Sequence, residues 1–167
     1  MSITIGNIQS SSDDLLLKLL GDELRRRISA DKAAPEFVAQ IRLLPAGLRA
    51  MAATHELDVS LALDDLGWHF GNWHNIDLAE ETARGLEELG ATELAAIFRA
   101  AFQIAGAYWT ELGSEGWTEW YHGSALKQAL EPLNRQTEAV LEKNQLGIFK
   151  YWLDYARRHP DRVGAVP

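Results

Sequence analysis

Side chains able to do chemistry are concentrated in the stretch WHFGNWHN, residues 68–75. His69 and His74 are candidate metal ligands, but they are five positions apart, whereas two ligands on one helix normally lie three or four apart. If Gly71 breaks the helix, the two imidazole rings could still converge on one metal ion. The ligand set would then be completed by Asp64, Asp65 or His122. The alternative is that these polar-tipped side chains form a packed joint between two helices.

An enzyme is a further hypothesis for this cluster. A metal-dependent or small-molecule enzyme would be centred on Trp68, His69, Asn72, His74 and Asp65. The adjacent acids Asp64–Asp65 and Glu80–Glu81 do not form catalytic pairs, because neighbouring helix positions point about 100° apart. The sequence also lacks a nucleophile elbow, a phosphate-binding glycine loop and a dinucleotide fingerprint. We therefore expect a protein without catalysis and without a cofactor, in which the cluster serves packing.

Aromatic residues mark a second candidate region. The chain has six tryptophans, and most are expected to pack in the core or at joints, since an indole buries a large area. The stretch SEGWTEWYHGS, residues 114–124, has the glycines of a loop, where an exposed aromatic side chain would indicate a contact surface. The predicted contact residues are Trp117, Trp120 and Tyr121.

Charge is distributed unevenly along the chain. The formal net charge is −8, but residues 55–119 hold thirteen Asp and Glu against Arg84 and Arg99, a formal charge of −11. Such a segment can steer a basic partner, and it disfavours direct binding of DNA or RNA, which depends on basic side chains at the phosphates. The predicted partner-binding residues are Asp64, Asp65, Asp77, Glu80, Glu81, Glu87, Glu88 and Glu93. The alternative is a face that is acidic for solubility alone.

Length and composition predict a single domain over residues 1–167, since a chain of this size can bury one core. The absence of cysteine excludes disulfides and thiolate metal sites. The N-terminus lacks the pattern of a signal peptide, and no apolar run approaches the ~20 residues of a membrane span. We therefore expect a soluble cytoplasmic protein that does not bind membranes, with homodimer formation left open.

Hydrophobic periodicity predicts an all-α fold, a bundle of about six to eight helices. A serine- and aspartate-rich start is followed by apolar residues at four-residue spacing, which predicts the first helix. These apolar residues are Leu16, Leu20, Leu24 and Ile28. Further helices are predicted over residues 35–43 and 45–63. Gly67 and Gly71 are expected to interrupt the helical pattern.

The middle of the chain predicts a central antiparallel pair of helices. Asp77 and Glu80 have the spacing of a capping box, and Gly90 stands where a left-handed residue would end that helix. Thr92 then opens a strongly amphipathic helix, so that the two should form a hairpin. In the next helix, which Ser124 should cap, Pro132 is expected to be a boundary or a kink.

Three motifs resemble a bacterial family whose namesake is a DNA-mimic protein and which was long catalogued as a domain of unknown function. They are DLGWHFGNWHN, LEELGA with the alanine-rich TELAAIFRAAFQIA directly after it, and YARRHPDRV. The resemblance covers about residues 45–163. It implies an all-helical fold, no known reaction and, for the namesake, an acidic surface that presents carboxylates as DNA presents phosphates. At the turn the family favours Asn-Gly-Gly-Phe, whereas this chain has Asp65-Leu66-Gly67-Trp68, which weakens any role specific to the turn.

The sequence therefore predicts a non-enzymatic protein whose carboxylate-rich helical face binds a basic protein. The partner would be a nucleic-acid-binding protein or, alternatively, a basic toxin nuclease that this chain neutralises. Both versions predict binding that salt weakens, because exposed charges are screened beyond about 8–10 Å at physiological ionic strength.

Overall fold

The computed structural model describes residues 3–164, and this part of the chain is all-α, without a β-strand. It holds eleven α-helices rather than the predicted six to eight. They are α1 (Ile5–Ser10), α2 (Asp13–Arg27), α3 (Glu36–Arg42), α4 (Ala46–Leu63), α5 (Leu66–Asn72), α6 (Ile76–Glu88), α7 (Thr92–Gly106), α8 (Trp109–Leu112), α9 (Trp117–Gly123), α10 (Ala125–Leu141) and α11 (Phe149–Arg158). A 3-10 helix, Pro160–Val163, follows α11. None of the described helices combines the length and the apolar character needed to cross a membrane.

The helices that the sequence did not predict are short. Helices α5 and α9 have seven residues each and α8 has four, and all three lie in segments rich in glycine and tryptophan. A helix of one or two turns shows little of the 3.6-residue period, and the glycines of these segments favoured a loop or an interruption. The prediction of an aromatic loop over residues 114–124 is therefore wrong, because most of this segment is α9.

The start of α6 also differs from the prediction. The cap is Asn75, whose side-chain oxygen accepts a hydrogen bond from the backbone N–H of Leu78 at 3.0 Å. Asp77 lies inside the first turn, so the predicted capping box of Asp77 and Glu80 is wrong. An acidic side chain in the first turn is still favourable, because the helix dipole is positive there.

Helix α10 runs without interruption through Pro132, so the predicted boundary at this residue is wrong. A proline removes the hydrogen bond to the carbonyl four residues earlier, here that of Gln128. Both residues are exposed, and water can bind that carbonyl. The predicted cap is confirmed, since the Ser124 hydroxyl accepts from the N–H of Lys127 at 3.1 Å.

The centre of the fold is the pair α4 and α6. Most of α4 is buried, and its most extensive packing is against α6. The two backbones approach closely at Gly85, where a Cβ atom would lie 2.9 Å from the carbonyl oxygen of Ala50. The hydroxyl of Thr82 donates to the carbonyl of Ala53 at 2.8 Å. Helix α7 follows α6 after three residues and contacts it, but α6 packs more extensively on α4 than on α7.

Candidate functional site

Glu81, one of the predicted partner-binding residues, is the buried centre of an ion-pair cluster. Only 1% of its side chain is exposed. Arg49 of α4 binds it through two hydrogen bonds of 2.8 Å, one to each carboxylate oxygen. Arg42 of α3 donates to Oε1 at 2.8 Å and Arg84 of α6 at 3.2 Å. Burial alone would raise the pKa of Glu81, but the hydrogen bonds from Arg42 and Arg49 outweigh it and hold the pKa below its usual value. Glu81 is therefore a structural anchor and not part of an exposed face.

The other predicted carboxylates of α6 are each held by an arginine. The pairs are Asp77 with Arg42 at 2.8 Å, Glu80 with Arg84 at 3.3 Å, Glu87 with Arg99 at 2.9 Å, and Glu88 with Arg162 at 2.9 Å. Glu88 also accepts a hydrogen bond from the hydroxyl of Tyr155. Counting the arginine that binds only Glu81, the five carboxylates of α6 are matched by five guanidinium groups. The surface of α6 is therefore nearly neutral, although the sequence around it is strongly acidic.

Uncompensated negative charge lies elsewhere on the molecule. Five exposed carboxylates of residues 55–119 make no ion pair with any residue in 3–164. They are Asp64, Glu93, Glu111, Glu115 and Glu119. The last three belong to the α8–α9 segment, and the sequence has no lysine or arginine between Arg99 and Lys127. Three of the five unpaired carboxylates thus lie in this segment, residues 109–123.

Asp65 has a structural role. It is partly buried, and its Oδ1 atom caps α5 by accepting from the backbone N–H of Trp68 at 2.9 Å. The same oxygen accepts from the hydroxyl of Tyr121 at 2.8 Å. Burial, followed by the nearby Asp65 carboxylate, raises the pKa of the Tyr121 phenol, so that it remains a neutral donor. Tyr121 is fully buried, which makes its prediction as an exposed contact residue wrong.

Gly71 of WHFGNWHN and Gly67, the residue directly before this stretch, allow helices to pack closely. Gly67 and Gly71 do not interrupt the helix but lie within α5, four residues apart. A Cβ atom at Gly71 would lie 2.4 Å from the indole ring of Trp117, and one at Gly67 would overlap the ring of Tyr121. The two aromatic residues are also four apart, so that one face of α9 packs directly on the backbone of α5. The cluster is thus a packed joint between helices.

Part of two indole rings remains at the surface of this joint. Trp117 is half-buried and packs against Trp68, with ring centroids 5.1 Å apart. Trp120 is likewise half-buried, and its ring centroid lies 6.1 Å from that of Tyr108. These exposed indole surfaces share α9 with the unpaired Glu119.

The two candidate metal ligands point to different partners. His69 is 2% exposed, and its Nδ1 donates to the hydroxyl oxygen of Ser60 at 3.1 Å. Burial lowers its pKa to about 4, so the ring is neutral at physiological pH. His74 is exposed, stacks on Trp109 at a centroid distance of 4.6 Å and donates to the carbonyl of the same residue at 2.7 Å. In residues 3–164 no group of three or more His, Asp or Glu side chains is placed to hold a metal ion. Asn72, the remaining member of the hypothetical enzyme site, is exposed on α5.

Arginine partners are what the sequence interpretation missed. Arg42 and Arg49 lie outside the acidic segment in sequence and are brought to it by the packing of α3 and α4 on α6. One signal was available, since Arg49 is the only base in the otherwise apolar stretch AGLRAMAA. A lone charged residue in an apolar stretch is expected to have a partner of opposite charge.

A family model described as DMP19-like protein matches residues 42–159, which is more than half of the chain. The matched region begins at the last residue of α3 and includes all of α4 to α11, hence both the ion-pair cluster and the aromatic joint. No curated protein and no solved structure matched the chain.

Proposed function

The chain belongs to the DMP19-like protein family, and on that premise we propose that it is a DNA-mimic-like protein that binds a basic, DNA-binding protein through exposed carboxylates. DNA presents one charge per ~1.7 Å of its axis, and a basic DNA-binding face is built to meet such a field. The proposed activity is binding, without catalysis.

The distribution of unpaired carboxylates supports a particular contact surface. The α8–α9 segment carries Glu111, Glu115 and Glu119, none of which pairs with a base in residues 3–164, so these carboxylates are available to a partner. An arginine of a partner could pair with these carboxylates and stack on the exposed parts of Trp117 and Trp120, since guanidinium groups bind aromatic faces. We place the strongest contribution to binding on this segment.

The predicted carboxylates of α6 have a secondary part in this proposal. Asp77, Glu80 and Glu87 are exposed, but each would have to leave an arginine of its own chain to pair with a partner. Exchanging one surface ion pair for another gains little free energy, because such pairs are worth only about 0–1 kcal/mol. Their fixed positions can still add to the complementarity of the surface.

Affinity capture with duplex DNA as a competitor tests the proposal. The purified protein is used as bait in a cell lysate at low salt, and retained proteins are eluted first with duplex DNA and then with high salt. A mimic occupies the DNA-binding face of its partner, so we expect the partner to be a DNA-binding protein that DNA elutes. Capture of proteins that bind the bait and duplex DNA at the same time would contradict mimicry. A nuclease that loses activity in the complex would instead support the inhibitor version of the hypothesis.

A further inference from the structure

A cleft of about 270 Å³ lies between α2, α3 and the middle of α4, apart from the acidic and aromatic surfaces. Its wall is mainly apolar, with Leu24, Ile28, Ala30, Phe37 and Ala52. The polar residues that line it are Arg25, which pairs with Asp22, and Lys32, His55 and Glu56. Protein interiors are close-packed, and small-molecule sites are typically concave, largely apolar and provided with a few polar groups. Most of this wall precedes residue 42, where the family match begins, so membership of the family assigns no role to the cleft.

Glu56 supplies the only carboxylate among the described residues that line the cleft. It is 3% exposed, and its Oε1 atom contacts both the ammonium group of Lys32 and Nδ1 of His55, the latter at 2.8 Å. Burial alone would raise the pKa of Glu56, but His55 and Lys32 outweigh it and hold the pKa below its usual value. Because both contacts are made to one oxygen of a group with about four acceptor sites, the carboxylate can accept a further donor.

Lys32 is a replaceable partner of this carboxylate. Its side chain is 48% exposed and reaches Glu56 from the segment between α2 and α3. Holding a long, flexible lysine in one position costs side-chain entropy. An ammonium group on another molecule could take its place on Glu56 if burial of an apolar body against the wall of the cleft offsets the entropy that a free ligand loses on binding.

Gly21 is a second, independent observation that favours an open cleft. It lies in the interior of α2, where glycine is destabilising relative to alanine. Packing does not require it, because a Cβ atom at this position would meet only the guanidinium group of Arg25, at 3.6 Å and 3.9 Å. A larger side chain would instead take space from the cleft that Gly21 lines.

We propose that this cleft binds a small organic cation, a primary amine with an apolar or aromatic body whose ammonium group replaces that of Lys32 on Glu56. The apolar body would lie against Phe37 and Ala52. The inference does not depend on the DNA-mimic proposal, and the acidic surfaces have no part in it.

Binding of two probes with the same body and opposite charge tests the inference on the full-length chain. We expect 2-phenylethylamine to bind saturably in a calorimetric titration, and to shift NMR signals of residues that line the cleft, whereas phenylacetate does not. Glu56→Gln should weaken amine binding by about tenfold, since it removes a charge-assisted hydrogen bond. Lys32→Met should strengthen it, because the internal competitor is gone.

Gly21→Leu provides the variant in which loss of binding cannot be ascribed to loss of the fold. Leucine favours the helix more than glycine does, so we expect the melting temperature to be maintained or raised while amine binding is lost. Absence of saturable amine binding at millimolar concentration overturns the inference. Preferential binding of phenylacetate, or amine binding that is unchanged in both Glu56→Gln and Gly21→Leu, overturns it as well.

Discussion

A Cβ atom at Gly67 would lie 2.2 Å from the hydroxyl oxygen of Tyr121, so α5 and α9 can pack at their observed distance only with glycine at this position. The same hydroxyl donates to Asp65, which caps α5. One tyrosine therefore fixes both the position and the start of α5. The half-buried Trp117 and Trp120 lie on the same helix as this tyrosine.

Gly67→Ala should destabilise the protein by roughly 1–3 kcal/mol, because a methyl group at this position forces the ring of Tyr121 away from α5. Urea denaturation gives the free energy of unfolding. Gly106→Ala is the matched control, since a Cβ atom there would meet nothing within 4 Å. We expect the control to be neutral or stabilising. Equal stability of the two variants would show that the joint has room to relax.

Glu81→Gln should destabilise the protein by roughly 1.5–3 kcal/mol, because three partly exposed guanidinium groups lose the buried carboxylate that they share. Glu80→Gln on the same helix removes only an exposed pair with Arg84 and should cost less than about 1 kcal/mol. Thermal and chemical denaturation of both variants measure the difference. A small effect of Glu81→Gln would mean that the arginines find other partners.

The stability of the protein should fall as the pH is lowered from about 6.5 towards 4. The pKa of His69 is about 4 in the folded chain because the ring is buried, against an ordinary value of 6.5. The unfolded chain therefore binds a proton in this pH range that the folded chain excludes, and the loss can reach roughly 3 kcal/mol. The free energy of unfolding of the wild type and His69→Asn is to be measured from pH 8 to pH 4. The variant should show a shallower slope, whatever its stability at pH 8, and an unchanged slope would exclude His69 as the cause.

Neutralising the carboxylates of the α8–α9 segment should weaken partner binding and reduce its salt dependence. The triple variant Glu111→Gln, Glu115→Gln and Glu119→Gln removes three carboxylates that make no ion pair in residues 3–164. The double variant Glu80→Gln and Glu87→Gln removes carboxylates that are already paired and should have a smaller effect on affinity. Binding of the captured partner at several salt concentrations compares them, since exposed charges act mainly on the association rate. A larger effect of the double variant would place the contact on α6.

The all-α class and the long helices could be predicted because each presents several turns of apolar periodicity. The first predicted helix is confirmed as α2, with Ser12 as its cap. Among the short helices, α3 was predicted, whereas α8, with a single turn, and α9, with two, were not. Because α9 was interpreted as a loop, Tyr121 was predicted to be exposed. Its burial depends on Gly67, a residue 54 positions away, and no local pattern records such a contact.

The acidic region shows a different limit of sequence interpretation. The net charge of residues 55–119 was counted correctly from the sequence. It did not describe the surface of α6, because Arg42, Arg49 and Arg162 lie outside this segment in sequence and pair with its carboxylates in the fold. Glu81 and Glu80 are neighbours in sequence with the same charge, yet one is buried and the other exposed. Helical periodicity separates the two faces, but only the packing of α3 and α4 shows which face receives the arginines.

The bidentate pair of Arg49 and Glu81 should also restrict which residues relatives in the family carry at these positions. Lysine cannot reproduce two parallel hydrogen bonds to one carboxylate, and a change of Glu81 leaves three guanidinium groups without the carboxylate that they share. Positions 42, 49 and 81 are therefore expected to be inherited as a unit and to be replaced together, most simply by apolar residues of similar volume. Asp77 and Glu80 lie at the exposed edge of the same cluster, and we expect each to be substituted independently of the others.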